Sequence, residues 1–567
     1  MRRTLGCLAI AAAVAALVVL ALVPRAAQPT AGPPASTVRG AYHLHSDRSD
    51  GSGTVDAIAA AASRAGLQFI ILTDHGDGTR ALEAPAYRHG VLTIDAVELS
   101  TTGGHYVVLN LPAAPYPIAG TPESVIEDVR RFGGFGIAAH PGSARESLRW
   151  MAWEEPFDGL EWLNADSEWR DEPRLPIMRT LLTYAVRPSE SMARLLDRPD
   201  LVLRRWDGAT ATRRVSAIAA ADAHARLGYD ETADPDRSWL HLPLPGYESS
   251  FRTFSNHVVL EAPLSGDAAR DADRVLRAIR DGRLYSVIDA LATPGSLSFA
   301  ATSGGRSAVM GDELPITGDV LLHASAAAPP GTTLVLLKNG QRIHAVTDGV
   351  LEANGGQDTA AYRIEAYTEA APGGPTVPWI VSNPIYAGFS RSAAVPAVET
   401  PAAFRIPARL DEAAVEHGAK DTSTFARPAI IDPRSRRLAG EAPLAWTFEL
   451  SPGTPSGQFA AIAIPTSGVL TEFDRVRLAV TSPAPMRAWV QLRAPIDGLD
   501  RWGMTFYADA ESRVVELPLR AFRPIGRTSS EQPPLDRITS LLLVVDTLNT
   551  RPGTSGSLLI SEVAFVR

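Results

Sequence analysis

The chain has 567 residues, 45% of them apolar and 21% charged, with a formal net charge of −9. That length exceeds what one hydrophobic core supports, so three or so domains are expected in an ordinary globular composition. No basic stripe runs along the sequence, which gives no reason to expect a nucleic-acid partner.

Lysine occurs only at Lys338 and Lys420, so arginine carries nearly all the positive charge, a bias we read as genomic base composition. The single cysteine, Cys7, excludes a disulfide or a thiolate metal site from the folded part. Any metal has to be held by His, Asp and Glu, a donor set suited to Mn, Fe or Zn.

In chain order, Arg2 and Arg3 precede an uncharged apolar run from Leu5 to Val23. The run reads as a secretory signal or a single membrane anchor, with everything after residue 36 exported to the periplasmic or extracellular face. Membrane contact is expected only through this segment. Pro- and Ala-rich residues 24–36 read as a stalk. TVDAIAAAASRAG (54–66) is a helix with Thr54 as cap and Gly66 as stop. FIILTDH (69–75) is a buried strand, and VLTIDAVELS (91–100) and HYVVLNL (105–111) are two more. TPESVIEDVRRFGG (121–134) is a helix with Thr121 as cap and Pro122 in its first turn. FGIAAHPG (135–142), FDGLEWLN (157–164) and RVSAIAAADAH (214–224) complete the strands. Strand–helix alternation predicts a parallel sheet, and about seven strands suggest a barrel with its chemistry at the strand ends.

Beyond residue 296 the helical pattern disappears. LVLLKNGQRIHAV (334–346) reads as a hairpin turning at Asn339-Gly340. AAYRIEAY (360–367) and WIVSNPIYAG (379–388) are further strands. The expected division is 1–36 signal or anchor plus stalk, 37–295 barrel, 296–398 β-sandwich, 399–410 linker and 411–567 a jelly-roll-like β-sandwich.

The strand ends carry the chemistry. They present His43 and His45, then Asp50 on the following turn, His75, Glu98, His105, His140, and Asp222 with His224. Residues two apart in a strand point the same way, so His43 with His45, and Asp222 with His224, can each direct two side chains into one space. A single His-x-His or His-Pro carries little signal. Ionisable groups at the end of almost every apolar strand carry more, because each costs several kcal/mol when buried without a partner. Cations resolve that cost.

The order HxH…SDG, TDH, E, H, HP, DxH resembles the PHP superfamily (polymerase and histidinol phosphatase) over residues 39 to 226. FDGLEWLN and PWIVSNPIYAG resemble its exported CehA/McbA-like branch. The resemblance implies a multidomain chain opening on a distorted α/β (β/α)7 barrel with two or three divalent metal ions (Mn, Fe or Zn). It implies His43, His45, Asp50, His75, Glu98, His105, His140, Asp222 and His224 as ligands, with Asp47 the alternative to Asp50. Glu98, Asp222 and His224 are the expected catalytic residues, Glu98 bridging two ions.

A metal-bridging hydroxide is nucleophilic at neutral pH because metal binding lowers water's pKa from about 15.7 to about 7. The expected activity is a metal-dependent hydrolase acting on a small-molecule ester, with phosphoesterase leading. A carboxyl-ester or carbamate hydrolase on the same metals is the alternative. An exported glycan-binding surface protein with a vestigial metal site is another. Arg48, Arg145 and Arg226 follow proposed ligands and suit a phosphate oxyanion. Asp74 and Asp77 are candidates to orient ligands, and Asp74 is equally a candidate to satisfy loop amides. In the C-terminal region, which loosely resembles carbohydrate-binding jelly rolls, Trp446, Trp489, Trp502 and Phe506 are candidates for a sugar-stacking platform, but Trp446 and Trp489 alternate within apolar strands and are expected in the core. Trp502 is the one expected to be most exposed.

Overall fold

The computed structural model describes residues 23, 25–29, 31–228, 241–347, 349–369, 376–389, 405–407, 414–418, 425–430, 444–453, 458–466, 470–495 and 500–567. The apolar run expected as signal or anchor lies outside them except for Val23, as does most of the expected linker. Among the described residues, no helix is long and apolar enough to cross a membrane. The chain is multidomain and mostly β. It divides into two compact units, Met1–Asp77 with Ala81–Pro112 and Thr121–Ser392, and Gly78–Arg80 with Ala113–Gly120 and Ala393–Arg567.

The first unit opens with β1 (Thr37–Ala41) and helix α1 (Val55–Arg64). Thr54 caps α1 by accepting from the Ala57 N–H at 3.2 Å, and Val55, Ile58, Ala59 and Ala62 form its buried face. Then come β2 (Phe69–Leu72), β3 (His75–Gly76), β4 (Ala86–Arg88), β5 (Val91–Asp95), β6 (Val97–Thr101) and β7 (Gly104–Leu109). Helix α2 (Pro122–Arg131) starts at the expected Thr121 cap. β8 (Phe135–Ala138), β9 (Gly159–Asn164) and β10 (Ser216–Ala220) follow.

These strands do not close into the expected (β/α)7 barrel. They fall into two sheets. One contains β1, β2, β5 and β4 and continues through Ser255–Val259 and Leu284–Val287. The other runs β10-β9-β8-β7-β6-β3. The apolar runs 69–75 and 91–100, each expected as one strand, change sheets partway: at Thr73-Asp74 between β2 and β3, and at Ala96 between β5 and β6. The strand–helix alternation also lapses, because β6, β7 and β8 pair antiparallel. Parallel order returns at β8, β9 and β10.

Side chains span the gap that backbone pairing leaves. Among the described residues, the edge of β10 away from β9 has no strand partner, yet its backbone groups are satisfied. Asn383 accepts from the Ala217 N–H at 2.7 Å and donates to the Ala217 carbonyl at 2.8 Å. Asn256 does the same for Ala219, at 3.0 and 2.7 Å. The Tyr386 hydroxyl meets the Val215 N–H at 3.1 Å and its carbonyl at 3.2 Å. Left unpaired, buried groups of this kind cost about 1–3 kcal/mol each.

Residues 296–392 belong to the same unit. Ile380–Ser382 pairs antiparallel with Leu284–Val287, so the first sheet runs on into the region expected as a separate sandwich. The core there packs Tyr285 and Val287 with Phe299, Leu336, Ile364 and Trp379. The hairpin turns at Asn339-Gly340 as expected, both residues at positive φ (49° and 79°). Arg363 binds Asp207 at 2.9 Å, and Arg198 binds Glu365 at 2.9 Å.

Among the described residues, the second unit holds two six-stranded sheets. Leu444–Glu449, Ser555–Val566 and Arg475–Thr481 pair antiparallel in one, and Phe459–Pro465, Ser540–Asp546 and Met486–Arg493 in the other. Alternate residues of both pack one apolar core, the period-2 pattern of a β-sandwich.

Candidate metal centre

The strand ends of the first unit converge. β1 stops at Ala41, and the next residues carry His43 and His45 along the end of β10, where Leu44 forms a parallel bridge with Ala223. Parallel pairing of β3 with β6 sets His75 opposite Glu98. His105 stands at the start of β7, His140 follows β8, and Asp222 and His224 follow β10.

Glu98 is the hub. One carboxylate oxygen lies 3.2 Å from His43 Nε2, 3.3 Å from His45 Nε2 and 3.3 Å from His75 Nδ1. The other lies 2.7 Å from His105 Nδ1 and 3.0 Å from His140 Nε2. Asp222 faces His43, His45 and His140 at 3.4 to 3.5 Å. Asp50 reaches His224 at 3.1 Å, His45 at 3.3 Å and His75 at 3.6 Å. The structure thus brings all nine expected residues into one constellation. Four overlapping groups within it have ligand atoms close enough to hold an ion: His45/Asp50/His75/His224, His43/Glu98/His140, His43/His45/Asp222 and His75/Glu98/His105.

The backbone is bent to achieve this. His43, His140 and Asp222 have φ of 64°, 50° and 43°, in the left-handed region. Non-glycine residues held there cost about 1–3 kcal/mol each and cluster at functional sites. Gly51, after Asp50, is required by close approach: a Cβ there would lie 2.1 Å from the His45 carbonyl oxygen.

Charge accounts for the titration of the cluster. Burial works against the charged form of His140, but Asp222 and Glu98 outweigh it and lift the imidazole to about 9. Burial is likewise overcome at His224, which Asp50 and Asp222 raise to about 10. His43 and His75 are also raised, against burial, by their carboxylates. Asp50, Glu98 and Asp222 move the other way: burial raises them, and the surrounding imidazoles hold them below the usual carboxylate range.

Protons alone leave the cluster incompletely satisfied. His45 Nε2 and both carboxylate oxygens of Asp222 are buried without a hydrogen-bond partner. Six imidazoles, three carboxylates and orphaned donor atoms fit divalent cations of the Mn, Fe or Zn class. The residues at hand could therefore hold metal.

Sequence reasoning missed the layer behind these groups. Glu161 is buried in β9, 2.5 Å from His43 Nδ1. It also accepts from the His140 N–H at 2.8 Å and from the Asn164 amide at 2.8 Å. A carboxylate behind a ligating histidine fixes its ring and tautomer. The signal was the one acid in the otherwise uncharged strand GLEWLN. Tyr247 was missed too; its hydroxyl donates to the carbonyls of His45 (2.8 Å) and His224 (3.1 Å).

Asp74 satisfies the Asp50 loop, accepting from the Ser46 N–H, the Ser46 hydroxyl and the Ser49 hydroxyl, each at 2.7 Å. Asp77 is half-buried two residues past His75, and Asp47 is exposed, outside the constellation. The three arginines differ. Arg226 donates to the Asp50 carbonyl at 3.3 Å, beside the cluster. Arg48 is engaged by Asp95 at 3.4 Å and by Glu83. Arg145 is exposed.

The expected sugar platform does not form from its four aromatics. Trp446, Trp502 and Phe506 are buried in the sandwich core, and Trp502, expected to be most exposed, donates its indole N–H to the Ser530 carbonyl at 2.9 Å. The alternation of strand Arg501–Ala508 turns Trp502 inward despite the polar turn before it. Trp489 alone packs on the opposite face of its sheet, against Ala461, Ala463, Leu542 and Val544.

No family model matches the chain, and no curated protein does. Among solved structures, the chain is similar to a two-domain protein from Bacteroides vulgatus containing a predicted PHP-like metal-dependent phosphoesterase. The two are 13% identical, the likeness covers 64% of this chain and 98% of that one, and the TM-score is 0.28. It is also similar to the family 11 carbohydrate-binding module of Clostridium thermocellum in complex with a β-1,3-1,4-mixed-linked tetrasaccharide, at 13% identity, 27% and 88% coverage and a TM-score of 0.22. A second structure of that family, from a cellulosomal cellulase of the same organism, gives 14%, 29%, 95% and 0.23. Likenesses at these TM-scores do not fix a function; the chemistry of the site has to.

Proposed function

We propose that the first unit is a multinuclear metal-dependent hydrolase of small-molecule esters, with phosphoesters as the leading substrate class. The observation that supports it is Glu98: one buried carboxylate within 3.3 Å of five imidazoles, beside an Asp222 whose oxygens lack hydrogen bonds. His43, His45, Asp50, His75, Glu98, His105, His140, Asp222 and His224 would hold two or three divalent ions. Such ions, when bound, supply Lewis-acid polarisation of the ester and a nucleophile from water at neutral pH.

The chain's own residues do the rest. Glu98 gathers five rings around one charge. Glu161 orients His43, and Asn164 orients Glu161. Asp50, His75 and His224 are the partly exposed members, with 22 to 36% of their side chains open, so substrate reaches the cluster from their side. Arg226, anchored beside Asp50, is placed to meet a phosphate oxyanion at that rim, and Arg48 and Arg145 are candidates for the same role from farther out. With the N-terminal apolar run, we place this activity outside the cytoplasm.

The test loads the full chain with manganese and assays chromogenic phosphate monoesters, phosphate diesters and a carboxyl ester in parallel, with chelator controls. Chelator-sensitive cleavage of a phosphate ester is expected. Cleavage of the carboxyl ester alone moves the reading to the carboxyl-ester or carbamate alternative. No cleavage by a chain that carries metal, with His140→Ala indistinguishable from it, overturns the hydrolase reading.

A glycan role for the second unit rests on Trp489. Its ring lies over Gly503, where an added Cβ would meet it at 3.0 Å, and Gln491 and Arg501 share its face. Retention of the chain on a β-glucan gel, lost in Trp489→Ala, is the expected result.

A further inference from the structure

Strand β10 delivers Asp222 and His224, and the hold on its register comes from an unusual source. β9 pairs with it on one side, but that ladder shifts register between Ile218 and Ala219, just before the ligands. On the other side no strand among the described residues pairs with Ser216–Ala220, and the backbone bridge of Leu44 with Ala223 comes only past its end. Asn383 takes both backbone groups of Ala217, and Asn256 takes both of Ala219. Next along the chain, the Ala221 N–H bonds to the Tyr42 carbonyl, and Asp222 follows at positive φ.

We propose that Asn256 and Asn383 are positioning residues for the metal centre, an inference that rests on the metal reading above. Their amides fix where β10 sits along its own axis, and so where Asp222 and His224 enter the cluster. A primary amide offers an acceptor and a donor in one plane, the pair a neighbouring strand residue would present. Both bonds form at only one axial position of β10, so each asparagine acts as a register pin. An apolar side chain would close the gap between the sheets but pin nothing.

The asparagines are themselves fixed. The Ser286 hydroxyl donates to the Asn256 amide oxygen at 2.8 Å and receives the Trp162 indole N–H at 3.0 Å. Asn383 donates a second bond to the Leu284 carbonyl at 3.0 Å. Ser286 and Leu284 lie on the strand Leu284–Val287, and Asn256 on its neighbour. Asn383 comes from beyond residue 295, so the segment read from sequence as a separate sandwich supplies one of the two pins.

The experiment measures manganese affinity and stoichiometry calorimetrically on the full chain and on Asn256→Ala, Asn383→Ala and Tyr386→Phe. Circular dichroism, melting temperature and hydrogen exchange over residues 216–224 are recorded alongside. Asn256→Ala, nearest Asp222, is expected to weaken metal binding about 10- to 100-fold, the range for residues that support ligands from behind. Asn383→Ala weakens it less. Tyr386→Phe, at the far start of β10, leaves it unchanged. Exchange over 216–224 quickens in the two asparagine variants while the rest of the fold is kept.

A structural role alone gives a different result: metal affinity stays at the unmodified value in every folded variant, or its losses follow melting temperature rather than nearness to Asp222. Either overturns the proposal. Where Asn256→Ala does not fold, Ser286→Ala loosens the same amide, and unchanged affinity there is equally fatal. An unmodified chain that binds no manganese sinks the metal reading itself, an outcome distinct from a bound ion that ignores the two amides.

Discussion

Among the described residues of the first unit, buried imidazoles occur in two places and behave in opposite ways. His43 and His257 are both fully buried. His43 faces Glu161, Asp222 and Glu98, which outweigh burial and hold it charged. His257 faces Tyr285, at 4.9 Å between ring centres, and Arg39 on the neighbouring strand. Neither of its ring nitrogens has a hydrogen-bond partner, and burial, reinforced by Arg39, pushes its pKa well below the ordinary histidine range. Backbone conformation separates the two as well. Three members of the cluster sit in the left-handed region, whereas His257 lies within a regular strand. Burial alone therefore marks nothing. Converging opposite charge and backbone bent to achieve it mark a place that could hold cations.

The hardest blow to that contrast is Glu98→Gln. It removes the one charge that five imidazoles share while keeping the side chain's shape. Metal content, read by elemental analysis of the purified chain, is expected to collapse, and ester cleavage with it. A Glu98→Gln chain that keeps its metal and turnover would leave the carboxylates no special role, and the two histidine environments would differ only in degree.

Metal removal comes next. Ligands that bind only the folded chain stabilise it by about 2.7 kcal/mol when present at about 100 times their dissociation constant. Chelation is therefore expected to lower the melting temperature of the first unit by several degrees, and manganese to restore it. His257→Phe keeps that response, since His257 takes no part in the cluster. A melting temperature indifferent to chelator and metal removes cations from the contrast.

The sequence made the cluster legible because its members mark strand ends. His43, His140 and Asp222 each interrupt an apolar run just past the point where the strand stops, His75 and Glu98 fall in the strands that begin where an apolar run changes sheet, and no packing argument asks for an ionisable residue at these places. Glu161 was hidden for the opposite reason: it lies inside a strand, where one acid among apolar residues reads as part of the edge. The division into two sheets was hidden at Ala96 and at Thr73-Asp74, since a run that bends from one sheet to the other keeps the same apolar pattern. Asn256 and Asn383 stand 127 positions apart and supply to β10 the bonds of a neighbouring strand; no local pattern announces such a pair. Trp502 misled because a polar turn precedes it, while strand alternation turns its ring into the core.

The pH response separates the two environments by sign. In the metal-free chain, His140 at about 9 and His224 at about 10 stand above the unfolded histidine value of about 6.5. A raised folded pKa adds stability that is complete below the unfolded value and lost as pH climbs through the folded one. Urea midpoints of the chelated chain are expected to fall between neutral pH and pH 10. Manganese blunts this limb, because bound metal displaces those protons.

His257 has the reverse sign and gives the smallest effect. Its folded pKa lies below 6.5, so its contribution is complete above that value and is lost as pH falls, because the unfolded chain takes up a proton that the folded chain refuses. The cluster's carboxylates, held below their ordinary range, titrate in stronger acid, whereas Glu168, lifted by burial to about 8, opposes His257 between pH 6.5 and 5, so the difference between the unmodified chain and a His257 variant reports His257 there. The loss there is at most about 1.4 kcal/mol per pH unit. His257→Phe keeps a ring against Tyr285 and discards two nitrogens that bond to nothing, so it is expected to remove that loss from the urea midpoint over that interval and leave the alkaline limb unchanged. A His257→Phe chain with the same acid slope as the unmodified one would mean that His257 finds a proton partner when folded, and the line between the two environments would have to be redrawn.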